Sequence, residues 1–415
     1  MTQHPLKAYT REVLSFSLGP ERPGTRAADP GPEISSEQAQ NVARRLAESL
    51  ARSGHGGLIL LGLGSGRVAL ALDRLLPATA RLIVCEPDPA LARRVLSRAD
   101  RAPLAGNGRT LVLADTSAWA MLLLLNLHGP GQGAALILDN PELTPEAKKG
   151  LRPLRRLLTQ TRCEELATAH QTVPGPGPSL SFAAILRPGE PDLADFLARI
   201  PAQAQEVVLV WDSPDLPDPL PSISDMVPDM IPGLPQERVR HLARPLAGDF
   251  AAQRNAMLAA CQGDWVLTLD GDERLCPRLA AQLPALLART DVNGYCFQRR
   301  TLYPDPGRCK IGYGLWPDPQ LRLFRRVPGL RYERPVHEVL TGLAPPLGLP
   351  LGGSILHFNH LARQSEDLER KLKLFDAASG GGVSHTLSVE YPSLALGLLD
   401  PASGPDRLLL LDQGI

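Results

Sequence analysis

The sequence carries no excess of charge of either sign: Lys plus Arg and Asp plus Glu both number 44, for a formal net charge of zero. Nothing global therefore steers the chain to nucleic acid or to an anionic membrane. It has no C-x-x-C pair. Its six cysteines, Cys85, Cys163, Cys261, Cys276, Cys296 and Cys309, are scattered, several of them in apolar runs, and read as buried thiols of a reduced, cytoplasmic protein. Long hydrophobic runs are missing too: the longest, Trp119 to Leu125, falls far short of the ~20 residues a membrane span requires. The N-terminus lacks the basic start and apolar core of a signal peptide. Neither secretion nor a membrane span is expected, while peripheral contact at the inner face of a membrane stays open. What is plentiful is Pro (41) and Gly (37), the composition of many loops, beside a hydrophobic content of 43% that suffices for ordinary cores. A length of 415 residues predicts two to three domains.

The stretch richest in chemistry is Gly248 to Glu273, GDFAAQRNAMLAACQGDWVLTLDGDE. Asp249 is a good N-cap, and the residues after it run without Gly or Pro to Gly263, which predicts a helix closed by glycine. A strand follows, in which Trp265, Leu267 and Leu269 alternate with Val266, Thr268 and Asp270. Extended side chains repeat every second residue, so Asp270 and Asp272 project the same way if the backbone stays extended. Hard divalent cations such as Mg²⁺ or Mn²⁺ are held by one or two carboxylates plus substrate phosphates, and Asp270-Gly271-Asp272 is suited to seat a metal-diphosphate. In the helix, Phe250, Arg254, Leu258 and Cys261 share a face, and an inward Arg254 wants an anion. Taken singly, Asp-x-Asp is more often a solvated turn, and an Arg beside an apolar stripe usually reaches back to water. Their conjunction on helix and strand end favours a site.

In chain order, residues 1–34 read as a loose leader. From Ser35 a helix is predicted: Ser35 and Gln38 have capping-box spacing, Val42, Leu46 and Leu50 make a stripe, and Gly54 stops it. Gly57 to Gly66, GLILLGLGSG, is a buried strand feeding a glycine-rich turn. Gly62, Gly64 and Gly66 permit tight turning and expose backbone N–H groups at a helix N-terminus, where an anion or a nucleotide ribose edge is favoured. A second strand, Arg81 to Cys85, ends at Glu86, about 20 residues on, where a Rossmann-type site places the acid that binds ribose hydroxyls. Further strands end at Asp115 and Asp139, and the alternation of strand and helix predicts a parallel sheet covered on both faces. The alternative at this turn is that the glycines only close a strand-helix connection. The domain spans 35–172, and VPGPGPS, 173–179, is a stiff linker.

The second domain, 180–376, opens with a strand, Leu180 to Leu186, a helix, Asp192 to Ile200, and a strand, Glu206 to Trp211, ending in Asp212. Residues 213–237 read as a long surface loop, either a lid or an inert insertion. Beyond the Gly248–Glu273 stretch a helix over 277–289 is expected. The last segment, 377–415, begins with Gly380-Gly381-Gly382 and offers helical Leu-rich pieces.

Two resemblances follow. The turn Gly62-Leu63-Gly64 with Glu86-Pro87-Asp88 and Asp115 resembles class I S-adenosylmethionine-dependent methyltransferases, and also the nucleotide-binding-fold domain of motility-associated (flagellin-modifying) glycosylation factors. It implies S-adenosylmethionine as a ligand of a Rossmann-like, doubly wound N-terminal domain. After Asp139, Asn140-Pro141-Glu142-Leu143 lacks the aromatic of amino-methylating signatures. In the second domain LSFAAIL, EVVLVWDS, GDFAAQRNAML, GDWVLTLDGDE, WPDPQLRLFRR, RYERPVHEVL and ILHFNH with a Lys-rich helix after it are similar, in order and spacing, to family 2 glycosyltransferases of GT-A fold, most of all those that build lipopolysaccharide core and related surface glycans.

That resemblance implies transfer of a sugar from a nucleotide-sugar donor to a glycan, lipid-linked or protein acceptor, with a divalent metal. Asp212 would meet the base or ribose, Arg254 and Asn255 the diphosphate, and Asp270 and Asp272 the metal and donor. Sugar transfer develops positive charge at the anomeric carbon and negative charge on the leaving diphosphate, which cations must stabilise. Arg254 and Arg322 or Arg325 supply them. An inverting displacement wants a carboxylate to take the acceptor's proton. Glu338 is the first choice, against a plain surface pair with Arg334; Asp318, Glu333 and Glu273 are the others. His337 is a third metal ligand or a hydrogen-bonding residue. Trp316 stacks on the acceptor sugar or is core. His357 and His360 flank a strand end. The sequence departs from the family at Arg187-Pro188-Gly189-Glu190, where Lys-Asn-Glu is usual, and at Ser213-Pro214-Asp215, which stands for Ser-Thr-Asp-Gly.

Overall fold

The computed structural model describes residues 4–16, 33–105, 110–131, 133–166, 177–221, 236–362, 391–401 and 404–412. Its chain forms two compact units. The first takes the residues up to Arg162 together with Gly307–Asp318 and the described part of 388–404; the second takes the rest.

Four strands form the sheet of the first unit: β1 (Gly57–Leu61), β2 (Arg81–Glu86), β3 (Thr110–Ala114) and β4 (Ala135–Asp139). All pair in parallel, in the order β3-β2-β1-β4. Each connection carries a helix, as a parallel crossover requires: Arg67–Leu75, Pro89–Leu96 and Ala118–His128. The order reverses between β1 and β4, where an open α/β sheet places its crevice. Helix Ser36–Ser53 is capped as its sequence predicts. Ser35 and Gln38 exchange side-chain and backbone bonds, and Gly54 closes the end at φ +73°.

The leader differs from expectation. Pro5–Ser15 is a helix with Leu6, Tyr9 and Val13 buried, and Thr10 bonds into β3, accepting from the Ala114 amide and donating to the Val112 carbonyl. Its apolar stripe is short, and the partners that stabilise it are remote in sequence, so local pattern could not reveal it. The unit also takes up β12 (Arg308–Lys310) from the middle of the chain and β18 (Ser393–Ala395) from its end, which pair antiparallel.

In the second unit β6 (Leu180–Leu186), β7 (Ala204–Trp211), β8 (Val239–Ala243) and β9 (Trp265–Asp270) are parallel in the order β8-β7-β6-β9. The order again reverses, here between β6 and β9. Beyond β9 the sheet continues through β13 (Pro319–Arg325), antiparallel to β9 and to the next strand β11 (Gly294–Thr301), then β16 (Leu347–Leu351), parallel to β11, β19 (Arg407–Leu411), antiparallel to β16, and β5 (Thr161–Glu165). Short β10 (Glu273–Leu275) pairs β17 (Ser354–His357), and β14 (Arg331–Glu333) pairs β15 (Val339–Thr341). The strands are buried on both faces: Phe182, Ala184 and Leu186 join one apolar cluster with Trp265 and Tyr295, while Ala183 joins another with Met257, Val266 and Phe324.

Boundaries move accordingly. β5 belongs to the second sheet although it precedes the expected linker, and the tail read as helical supplies strands in its described part. Leu408–Leu411 is a continuous apolar run, which periodicity cannot assign to helix or strand; pairing with β16 decides it. The residues beyond Ala362, where the Lys-rich helix after ILHFNH is expected, most of the linker and 222–235 of the long loop lie outside the described residues.

Candidate active site

The helix Phe250–Ala260 begins where read: the Asp249 carboxylate accepts the Ala252 amide at 2.9 Å. It ends at Ala260, short of Gly263, and buries Gln253, Arg254 and Met257. Five residues later β9 starts, and its last residue is Asp270. The backbone does not stay extended there. Gly271 and Asp272 form a turn and β10 starts at Glu273, so the two aspartates do not share a strand face as expected. Arg274 fixes this turn, donating to the carbonyls of Gly271 at 2.7 Å and Glu273 at 3.0 Å and to Asp195 at 3.0 Å.

Asp270 stands between two guanidinium groups. Its Oδ1 accepts from Arg254 Nη2 at 2.9 Å and its Oδ2 from Arg322 Nη2 at 2.6 Å. Arg322 also reaches Glu273 at 2.8 Å, which Arg299 meets at 3.3 Å, and Arg254 Nε donates to Glu338 Oε1 at 2.6 Å. Three arginines (254, 299, 322) thus alternate with three carboxylates (270, 273, 338). The arginine side chains at 254 and 322 are 7% and 8% exposed, and Glu273 is fully buried. Burial alone would raise the Asp270 pKa, but Arg322 and Arg254 outweigh it and hold the carboxyl well below the usual range. Desolvation by itself would lower both guanidiniums, but the acids around them together push them further up: Asp270, with Glu338, for Arg254, and Asp270, with Glu273, for Arg322.

Asp272 meets His357 and the backbone of Phe358. Its carboxylate is 3.6 Å from His357 Nε2, whose Nδ1 meets Thr301 Oγ1 at 3.0 Å, and its carbonyl accepts the Phe358 amide at 2.9 Å. Among the described residues no three His, Cys, Asp or Glu side chains gather as a metal cage, so His337 does not complete a ligand set with the two aspartates. Asp270 does not fit a cation as it stands, because both its oxygens are held by arginines. Asp272 fits the single-carboxylate mode in which substrate phosphates and water complete the shell.

Other expected residues have different work. Asp212 accepts the Leu246 amide at 2.6 Å and pins the segment before the helix. Asn255 exchanges two bonds with the Tyr332 backbone, at 2.8 and 2.7 Å, which uses one of its two amide N–H groups and ties the helix to β14. Glu338 is paired with Arg254, not Arg334, and remains 17% exposed. The turn before it is held by the Phe250 amide on the Pro335 carbonyl at 2.8 Å. Glu273 is excluded as a base by its burial among arginines; Glu333 pairs with Arg331 at 2.6 Å on the surface. Arg325 lies over the Trp265 ring at 4.5 Å and bonds two carbonyls, a packing role. His360 packs against the edge of Tyr303. Trp316 and Asp318 belong to the first unit, with Trp316 fully buried.

One residue went unrecognised. The carboxyl group of Glu190, from the turn after β6, lies 2.9 Å from where a Cβ on Gly271 would stand, so a carboxylate flanks the Asp270-Asp272 turn at the β6/β9 reversal. Its signal was the acidic residue in the departure from Lys-Asn-Glu.

In the first unit the glycine turn is formed as read, at φ +91°, +56° and +78° for Gly62, Gly64 and Gly66. Glu86 is 3% exposed and both its oxygens are taken, by the amides of Leu63 at 2.8 Å and Asp88 at 3.0 Å, so it holds the turn instead of offering itself to a ribose. Burial pushes its carboxyl up to about 7. For an acid whose folded pKa exceeds its unfolded value, the folded state binds the proton more tightly, and stability is lost as pH rises through the window between the two. Glu86→Gln removes that loss. Relative to wild type the variant should be more stable at pH 8 than at pH 5 by about 2–3 kcal/mol in urea unfolding; an equal difference at both pH values overturns the assignment.

Residues 187–336 match the family model described as Glycosyl transferase family 2, and this stretch is a domain of that family, with its GT-A α/β fold. The TPR repeat-containing protein Synpcc7942_0270 of Synechococcus elongatus is 31% identical over 158 residues, 35% of this chain and 37% of that protein; the chain thus spans little more than a third of the curated relative it matches. The crystal structure of S. aureus TarS covers 36% of this chain and 28% of its own at 14% identity, with a TM-score of 0.25. TarS 1–349 in complex with UDP-GlcNAc gives 15% identity over 35% of this chain and 45% of that one, with a TM-score of 0.23.

Proposed function

We propose that the chain is a glycosyltransferase that moves a sugar from a nucleotide-sugar donor to the hydroxyl of a surface-glycan, lipid-linked or protein acceptor, with inversion at the anomeric carbon. The observation that carries this reading is the position of the Asp270-Gly271-Asp272 turn. It lies within the family domain, at the carboxyl end of β9 beside the β6/β9 reversal, where α/β sheets bind ligands.

In this reading the donor diphosphate lies along the turn. Arg254 and Arg322, locked by Asp270, present fixed positive charge to the leaving group without reorganising during the reaction. Glu338 accepts the proton of the acceptor hydroxyl; that oxygen attacks the anomeric carbon as the bond to the diphosphate breaks, and the nucleoside diphosphate departs. Arg254 joins base and donor sites, since one guanidinium touches Glu338 and Asp270. Mg²⁺ or Mn²⁺ held by Asp272 would add charge neutralisation at the phosphates. The site is proposed to work in the cytoplasm; no helix among the described residues is long and apolar enough to cross a membrane.

The test is a panel of UDP-, GDP- and CMP-sugars with Mn²⁺, read by melting temperature and by release of the nucleotide. One donor class should raise the melting temperature, because a ligand that binds only the folded state stabilises it, and Asp272→Ala should cancel that shift. No shift and no release with any donor overturns the reading.

A further inference from the structure

The carboxyl edge of the first unit's sheet is the place where this topology takes a nucleotide, yet side chains of the chain itself fill or bridge much of that edge. After β1, a Cβ on Gly62 would stand 2.3 Å from Leu143, and one on Gly64 2.7 Å from the Glu142 carboxylate, so the space over the glycine turn is filled. After β2, Glu86 is spent on two amides. After β4, Asn140 donates to the carbonyls of Gly62 and Leu63 and accepts the Glu142 amide.

After β3 comes Asp115, fully buried. It accepts the hydroxyl of Tyr9, the Ser117 amide at 2.8 Å and the Tyr313 amide. Tyr9 in turn accepts the Gly312 amide at 3.2 Å and packs on Trp316 with ring centroids 6.0 Å apart. The Tyr313 hydroxyl donates to the carbonyls of Val13 and Phe16 at 3.1 and 2.8 Å, and a Cβ on Gly312 would meet Val13 at 2.9 Å. At the β3 end, Asp115 and the groups bonded to it grip residues 307–318 and the helix Pro5–Ser15.

We propose that the first unit is a dock for residues 307–318 and takes no adenosyl ligand, with Tyr9 and Asp115 as the positioning residues of that dock. The docked residues lie inside the family domain by sequence, and the chain runs from Asp318 directly into β13, which carries Arg322. The dock stands on the packing within the first unit alone and does not depend on the transferase reading.

The test is hydrogen exchange on the full chain. Tyr9→Phe keeps the ring against Trp316 and removes only the hydroxyl. Loss of a buried charge-assisted hydrogen bond should speed exchange of amides in 307–318 by roughly 10–100-fold, while the β1 and β2 peptides, 57–61 and 81–86, stay protected. Asp115→Asn should do the same. A merely structural role would open β1 and β2 together with 307–318. Calorimetry with millimolar S-adenosylmethionine should show no binding to wild type. Unchanged exchange in 307–318 in both variants, exchange rising equally through β1 and β2, or binding of S-adenosylmethionine overturns the proposal.

Discussion

Asp270→Ala is expected to destabilise the second unit by about 3–5 kcal/mol and to abolish transfer. The size follows from what the carboxylate leaves behind. Arg254 and Arg322 are more than nine-tenths buried and each gives Asp270 a charge-assisted bond, so its removal strands positive charge in a dry site. Glu273 and Glu338 still pair with those arginines, which keeps the loss from growing further. Removing both sides lessens the penalty. In Asp270→Asn with Arg322→Met the stability should return to within about 1–2 kcal/mol of wild type while activity stays lost, since a neutral pair of similar shape replaces the ion pair. Urea unfolding of the single and double variants, with donor turnover alongside, decides it. A single variant as stable as wild type would mean that Asp270 is solvated.

Glu338→Gln should lower kcat by about 10²–10⁴-fold with the donor KM nearly unchanged. Glutamine keeps the shape and one carbonyl oxygen for Arg254 Nε, so the turn before β15 should hold and the melting temperature should change little. What disappears is proton acceptance. Retention of more than about a tenth of wild-type kcat would move the base elsewhere; a large rise in donor KM at constant kcat would recast Glu338 as the partner that orients Arg254.

Much of the site was readable from local order. Asp249 as a cap, Arg254 as an inward residue of its helix and Asp270 at a strand end all follow from short-range spacing, and each holds in the structure. The backbone partner of Asn255 was not legible, because a polar residue next to Arg254 gives no sign of the backbone it will meet 77 residues later. Asp272 was misread in orientation because Gly271 turns the chain, a turn fixed by Arg274 and by the Glu190 carboxyl over the glycine. The first unit follows the same division. Its strands and glycine turn are local, whereas the partners of Glu86 and Asp115 are set by the closure of loops.

By itself the sequence determined the α/β alternation, the parallel strand sets and the clustering of acid and guanidinium around one strand end, because period, caps and turn residues act over a few positions. Tertiary structure alone decided which oxygen each arginine holds, that Trp316 and its neighbours join the first unit, and that the apolar run at the end of the chain is a sheet strand. Those outcomes rest on side chains from distant parts of the chain competing for the same buried donors and acceptors, and no local pattern records who wins.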